Sequence, residues 1–156
     1  MALRDGMDPR GHLYLIDPYH LSRVPVLNFL RRAAQRAVSS DVGPHIVWIE
    51  QFSHRAAENW NQAIDFLLID GDHAEDAVQQ DWEEWHAHVV EGGIVAFHDA
   101  RVFPSGWTSP AYGPVKFVNR VFRASSRPSW QIVDEVDSLV FLRKNSNSNN
   151  TVKAGA

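Results

Sequence analysis

The chain has 156 residues, with 15 Lys and Arg against 19 Asp and Glu, and its formal charge of −4 excludes a strongly basic nucleic-acid or membrane-surface footprint. With 44% apolar and 22% charged residues it has the make-up of a soluble globular domain, so disorder of the whole chain is also excluded. The absence of Cys removes disulfides, thiolate zinc sites and a thiol nucleophile, and leaves eight His as candidate ligands or bases. No apolar run approaches the roughly 18–20 residues of a membrane span, and the N-terminus lacks the order of a signal peptide. The expected location is cytoplasmic.

Short apolar runs alternate with amphipathic stretches, the order of an α/β fold in which helices on both faces cover a mostly parallel sheet. The first run, residues 12–16 (HLYLI), ends at Asp17-Pro18. Residues 26–38 read as a helix, with Val26, Leu27, Leu30, Ala34, Ala37 and Val38 on one face and a solvated arginine side opposite. Residues 45–49 (HIVWI) follow a turn and, like the first run, read as a strand buried on both faces. Ser53 suits the N-cap of a short helix. Residues 65–69 (DFLLI) and 93–97 (GIVAF) do not alternate and are bounded by turn residues, so both are expected as central strands.

Between those two strands, residues 74–90 repeat Val78, Trp82, Trp85 and Val89 at helical spacing, which predicts a helix with its tryptophans in the core. Residues 100–113 make a connection longer than the roughly 4–6 residue norm. It carries Phe103, Trp107 and Tyr112, rings that either cover a site or pin the loop to the core. Pro114 suits a first helical position before Val115, Val118, Val121 and Phe122. Residues 130–135 and 138–143, separated by Val136-Asp137, have the spacing of an antiparallel hairpin. One domain over residues 1–144 is expected, followed by a polar, aperiodic and disordered tail at 145–156.

In an open parallel sheet, ligands bind beyond the carboxyl ends of the strands. Here those ends supply Asp17, then Ser53, then Asp70-Gly71-Asp72-His73, then His98-Asp99. An acid such as Asp17 at a strand tip can accept bonds from two vicinal hydroxyls, although an Asp-Pro turn needs no ligand. Asp70 and Asp72 lie two apart, so both could face one cavity, while Asp72 alone could be the N-cap of the next helix. Carboxylates and imidazole at neighbouring strand tips make either a site for a divalent metal or a His–Asp general base.

With LYLIDPY upstream, the stretch DFLLIDGDHAEDAVQQDWEEWHAHVVEGGIVAFHDA resembles the class I S-adenosylmethionine-dependent methyltransferases. Within them it is similar to methyltransferase family 24 and the related macrocin-O-methyltransferase and cephalosporin-hydroxylase-like proteins. The resemblance implies a Rossmann-like fold with a C-terminal antiparallel hairpin and S-adenosylmethionine as cofactor. It implies that Asp17 binds the ribose, that Tyr19 lies near the adenine, that Phe52 and Ser53 border its pocket, and that Asp70 lies at the cofactor site. In the metal-dependent branch the positions of Asp70, His98 and Asp99 bind magnesium, though imidazole favours a softer ion over Mg2+. The remaining step, deprotonation of an acceptor oxygen, falls to Asp72, His73 or His98. The expected partner is a small-molecule or sugar acceptor, with no nucleic acid and no membrane.

One departure stands at the start of the chain. The family places a first strand and a glycine-rich loop ahead of the acidic strand, and residues 1–10 hold neither. The expectation is therefore a truncated or inactive form in which the first strand is missing. An open slot between the strands at 12–16 and 65–69 would favour homo-oligomers. The rival readings are a noncatalytic binding or assembly module and a metal-dependent nucleotide-sugar transferase using Asp70-Gly71-Asp72. A phosphatase with Asp70 as nucleophile ranks third, because its motif would need Thr or Val where Ala74 stands.

Overall fold

The computed structural model describes residues 7–8, 10–18, 46–104, 106–125 and 127–146. The expected helix at 26–38, Tyr19 and all but the first two residues of the expected tail lie outside them. The chain divides into two compact units, Met1–Trp60 and Asn61–Ala156.

In the first unit, β1 (Leu13–Ile16) and β2 (Ile46–Ile49) pair in parallel, with Leu13 opposite Ile46 and Ile16 opposite Ile49. Both strands are half-buried along their length rather than enclosed on two faces. Tyr14 packs edge-on against Trp60, with ring centroids 4.7 Å apart. The helix α1 (Ser53–Ala57) starts at Ser53 itself; the N-cap is Phe52, in extended conformation and with no side-chain cap bond. The expected Ser53 cap is thus displaced by one residue.

The second unit is a four-stranded mixed sheet built from β3 (Ile64–Ile69), β4 (Val89–Phe97), β5 (Trp130–Val136) and β6 (Leu139–Lys144). Its order is β3-β4-β6-β5, with β3 and β4 parallel and the other pairs antiparallel. The strand β4 is central as expected, whereas β3 pairs only with β4 among the described residues and stands at an edge of this sheet. Its sequence hid that, because Phe66 and Leu68 are apolar yet 39% and 38% exposed.

The helix α2 (Glu75–Trp85) ends earlier than its periodicity predicts, passing through a 3-10 turn at His86–His88 into β4. Val89 continues the helical spacing of Trp82 and Trp85, but it pairs with Ile64 as the first residue of a strand. The register then jumps to Phe66 opposite Ile94, and Gly92 in the intervening bulge takes φ +79, a conformation that suits glycine. Trp82 and Trp85 are both buried, as expected.

The helix α3 (Gly113–Val118) carries Pro in its first turn and runs into a π turn at Asn119–Arg123. Its Val115, Phe117 and Val118, with Val121, face the core, while Lys116, Arg120 and Arg123 are exposed. The hairpin is present with its turn at Asp137-Ser138 rather than Val136-Asp137, because Val136 pairs with Leu139. Asp137 takes φ +50, a left-handed position that Asp tolerates in two-residue hairpins. The core gathers Trp82, Phe97, Phe117, Trp130, Val140 and Leu142 with smaller apolar residues between the sheet and the two helices.

Candidate active site

In the first unit, Asp17 follows β1 directly, and its N–H extends the ladder by donating to the Ile49 carbonyl at 3.2 Å. The residue is exposed. An open groove of about 400 Å³ lies beside it, lined by Pro18, Glu50, Gln51, Phe52 and residues of α1 and its end. Phe52 is 48% exposed and stacks on His54 with centroids 5.5 Å apart. Ser53 opens α1 at the same place.

The second unit brings the other candidates to the C-terminal ends of β3 and β4. The His98 N–H donates to the Ile69 carbonyl at 3.0 Å, which sets His98 beside Asp70 at the point where both strands stop. The Ala100 N–H donates to the Ser138 carbonyl at 2.9 Å, so the hairpin turn pins the next residue as well. Asp99, between these two anchors, takes φ +51 and is only 3% exposed. Non-glycine residues adopt this conformation at a cost, and it aims the Asp99 carboxylate inward.

A buried carboxylate needs N–H partners. Trp107 Nε1–H donates to both Asp99 oxygens, at 3.1 Å each. Two imidazoles flank the same group: His73 Nε2 lies 3.6 Å from Oδ2 and His98 Nδ1 lies 3.5 Å from Oδ1. His98 Nδ1 is also 3.0 Å from Asp70 Oδ1, but neither oxygen lines up for a hydrogen bond, so these contacts are electrostatic rather than directed. Asp72 lines the same depression as Asp70, His73 and His98 but is exposed, with Oδ1 accepting the Ala74 N–H at 2.9 Å. That bond shapes the turn into α2, although Ala74, not Asp72, occupies the N-cap position.

The metal expectation on Asp70, His98 and Asp99 finds no support here. Among the described residues no three acids or imidazoles are arranged to hold an ion. The physical reason lies in Asp99, whose two oxygens both face the Trp107 indole N–H instead of opening with Asp70 and His98 on a common point.

Of the connection after β4, Ala100 lies in the core, while the rings of Trp107 and Tyr112 reach Asp99 and His73. Trp107 is 67% exposed, rests edge-on against Phe103 at 5.9 Å and meets Asp99 through its nitrogen. The Tyr112 hydroxyl lies 3.2 Å from His73 Nδ1. The sequence marked both rings only as members of an aromatic loop; their bonds to Asp99 and His73 were not legible. Because Trp107 buries little surface, Trp107→Phe isolates the value of its N–H. Leaving Asp99 short of that donor is expected to cost about 1–3 kcal/mol, read as a lower midpoint in thermal unfolding. An unchanged midpoint would show that the flanking imidazoles suffice.

Residues 1–100 match the family model of a methyltransferase domain, family 24. Among solved structures, the chain is similar to a protein from Corynebacterium glutamicum, with 10% identity and a TM-score of 0.66 over 94% of this chain and 67% of that one. It is also similar to CalS11, a TDP-rhamnose 3'-O-methyltransferase of calicheamicin biosynthesis, with 21% identity and a TM-score of 0.53 over 91% of this chain and 64% of that one. The chain thus spans about two thirds of the length of these relatives. At these identities the likeness carries the fold, a Rossmann-like arrangement of parallel strands with an antiparallel hairpin.

Proposed function

Because the chain belongs to the methyltransferase domain family, we propose that it transfers a methyl group from S-adenosylmethionine to a hydroxyl oxygen of a small molecule or sugar. The observation that carries this reading is the buried Asp99 carboxylate with an imidazole on either side at the ends of two parallel strands. Such a pair can orient a ring and take a proton. The sugar hydroxyl as acceptor draws on CalS11, whose substrate is a nucleotide-linked rhamnose.

The cofactor's sulfonium methyl is already electrophilic, so the protein has to align an oxygen with it and remove that oxygen's proton. The groove beside Asp17 suits the nucleoside part in its donor set. In this reading the Asp17 carboxylate accepts bonds from the vicinal ribose hydroxyls, and Phe52, which lines the groove, borders the adenine with Ser53.

Of the three candidate bases, His73 has the strongest case. Asp99 Oδ2 lies 3.6 Å from its Nε2, and the Tyr112 hydroxyl lies 3.2 Å from its Nδ1, so both ring nitrogens have a polar neighbour. Asp72 already spends one oxygen on the Ala74 N–H, and His98 has Asp70 and Asp99 on the same ring nitrogen. Their roles are the shape of the turn and the charge balance of Asp99.

Calorimetry with S-adenosylhomocysteine tests the reading. The wild-type chain is expected to give heat of binding, and Asp17→Ala to weaken it about 10- to 100-fold, since hydrogen bonds to a charged group are worth about 1.5–3 kcal/mol. Silence from the wild type, with manganese-dependent binding of a UDP-sugar, would replace methyl transfer by nucleotide-sugar transfer through Asp70-Gly71-Asp72.

A further inference from the structure

Tyr112 is the last residue before α3, and its position follows from Gly113. A Cβ at Gly113 would lie 2.2 Å from the His73 carbonyl oxygen and 2.5 Å from the Glu75 nitrogen, so the backbone there passes hard against the turn that carries His73. The Tyr112 N–H donates to the Ser109 carbonyl at 3.0 Å, and its own carbonyl accepts the Lys116 N–H at 2.9 Å. Held on both sides, the phenol meets the imidazole with ring centroids 5.1 Å apart and its oxygen 3.2 Å from Nδ1.

The other ring nitrogen decides which way that bond runs. His73 Nε2 faces the Asp99 carboxylate at 3.6 Å, and an N–H is favoured over a lone pair beside an anion. A neutral imidazole has one ring proton. With that proton on Nε2, Nδ1 presents its lone pair and accepts from the Tyr112 O–H.

We propose that Tyr112 is the proton relay of this site, standing between the acceptor hydroxyl and His73. The proposal rests on the methyl-transfer reading above. As the acceptor oxygen forms its bond to the methyl carbon, the carbon–sulfur bond breaks and its electron pair stays on sulfur. The acceptor O–H proton passes to the phenol oxygen while the phenol proton passes to Nδ1. Tyr112 ends neutral, His73 ends as an imidazolium facing Asp99, and no other reactant is required. The close fit of Gly113 keeps the backbone that carries Tyr112 against the His73 turn.

Nitrogen NMR on the full chain with 15N-labelled histidine, at alkaline pH and with His73 assigned from His73→Gln, tests the relay without any acceptor. The wild type is expected to show His73 as the Nε2–H tautomer with a hydrogen-bonded Nδ1. Tyr112→Phe should move Nδ1 to the position of a free lone pair while circular dichroism stays unchanged. If that variant fails to fold, fluorotyrosine incorporation serves instead, since the more acidic phenol must shift Nδ1 further in the bonded direction. A proton on Nδ1 in the wild type, or an Nδ1 signal indifferent to the phenol, overturns the relay. Calorimetry with S-adenosylhomocysteine on the same samples separates the two claims: heat with the wrong tautomer removes the relay alone, and absence of heat removes the methyl transfer on which it rests.

Discussion

Trp82→Ala is expected to remove about 3–5 kcal/mol of stability, the range for deleting a large buried aromatic. The residue is 3% exposed and sits where α2 meets β4, β5 and the segment after α3. Its ring stacks on His86 at 4.7 Å within its own helical segment, stands edge-on to Trp130 at 4.9 Å in β5 and to Phe122 at 5.0 Å after α3, and approaches Phe97 at 5.8 Å in β4. Edge-on aromatic pairs contribute about 0.5–1.5 kcal/mol each beyond the area they bury. Phe97 itself is fully buried, so the cavity has little room to collapse. Against a total of about 5–15 kcal/mol for a domain, such a loss brings the second unit close to unfolding. Denaturant unfolding checks it: a fall in midpoint at constant slope is the expected result, and a loss below about 1 kcal/mol would mean that the neighbouring rings close over the gap.

Much of this core was legible in the sequence because its signals are local. Residues 65–69 and 93–97 are short apolar runs between turn residues, and Trp82 and Trp85 fall on the apolar face of α2. The end of α2 was not legible. Val89 keeps the helical spacing, and only its pairing with Ile64, 25 residues away in the chain, assigns it to a strand. The edge position of β3 escaped for the opposite reason: an apolar strand reads as central whether or not a second neighbour pairs with it.

The site divides along the same line. Asp70, His98 and Asp99 could be found because each ends a strand, and the structure gathers them with His73. Their use could not be found. Whether Asp99 faces a metal or an indole depends on Trp107, and which nitrogen of His73 is free depends on Tyr112, 39 residues further along the chain. Loop aromatics beside a row of strand-end acids were the one available signal, and it named the segment without naming the contacts.

Gly113→Ala should have the second large effect, and it joins stability to the site. The added methyl would lie 2.2 Å from the His73 oxygen, 2.5 Å from the Glu75 nitrogen and 2.7 Å from the Ala74 carbonyl carbon. All three are backbone atoms at the entry to α2, so no side chain can swing away, and the clash has to be relieved by moving α3 and the His73 turn apart. Overpacking of this kind costs about 1–3 kcal/mol or more. The same displacement draws the Tyr112 hydroxyl off His73 Nδ1, so the variant is expected to melt earlier and to lose the bonded Nδ1 signal together. Gly92→Ala is the control. Gly92 has φ +79 with nothing within 4 Å of its added Cβ, so its substitution strains the backbone by about 1–2 kcal/mol and leaves His73 untouched. Were Gly113→Ala to lower the melting point while the Nδ1 signal stayed bonded, the contact between these two segments would serve packing alone, and the phenol would reach the imidazole by some restraint other than the glycine.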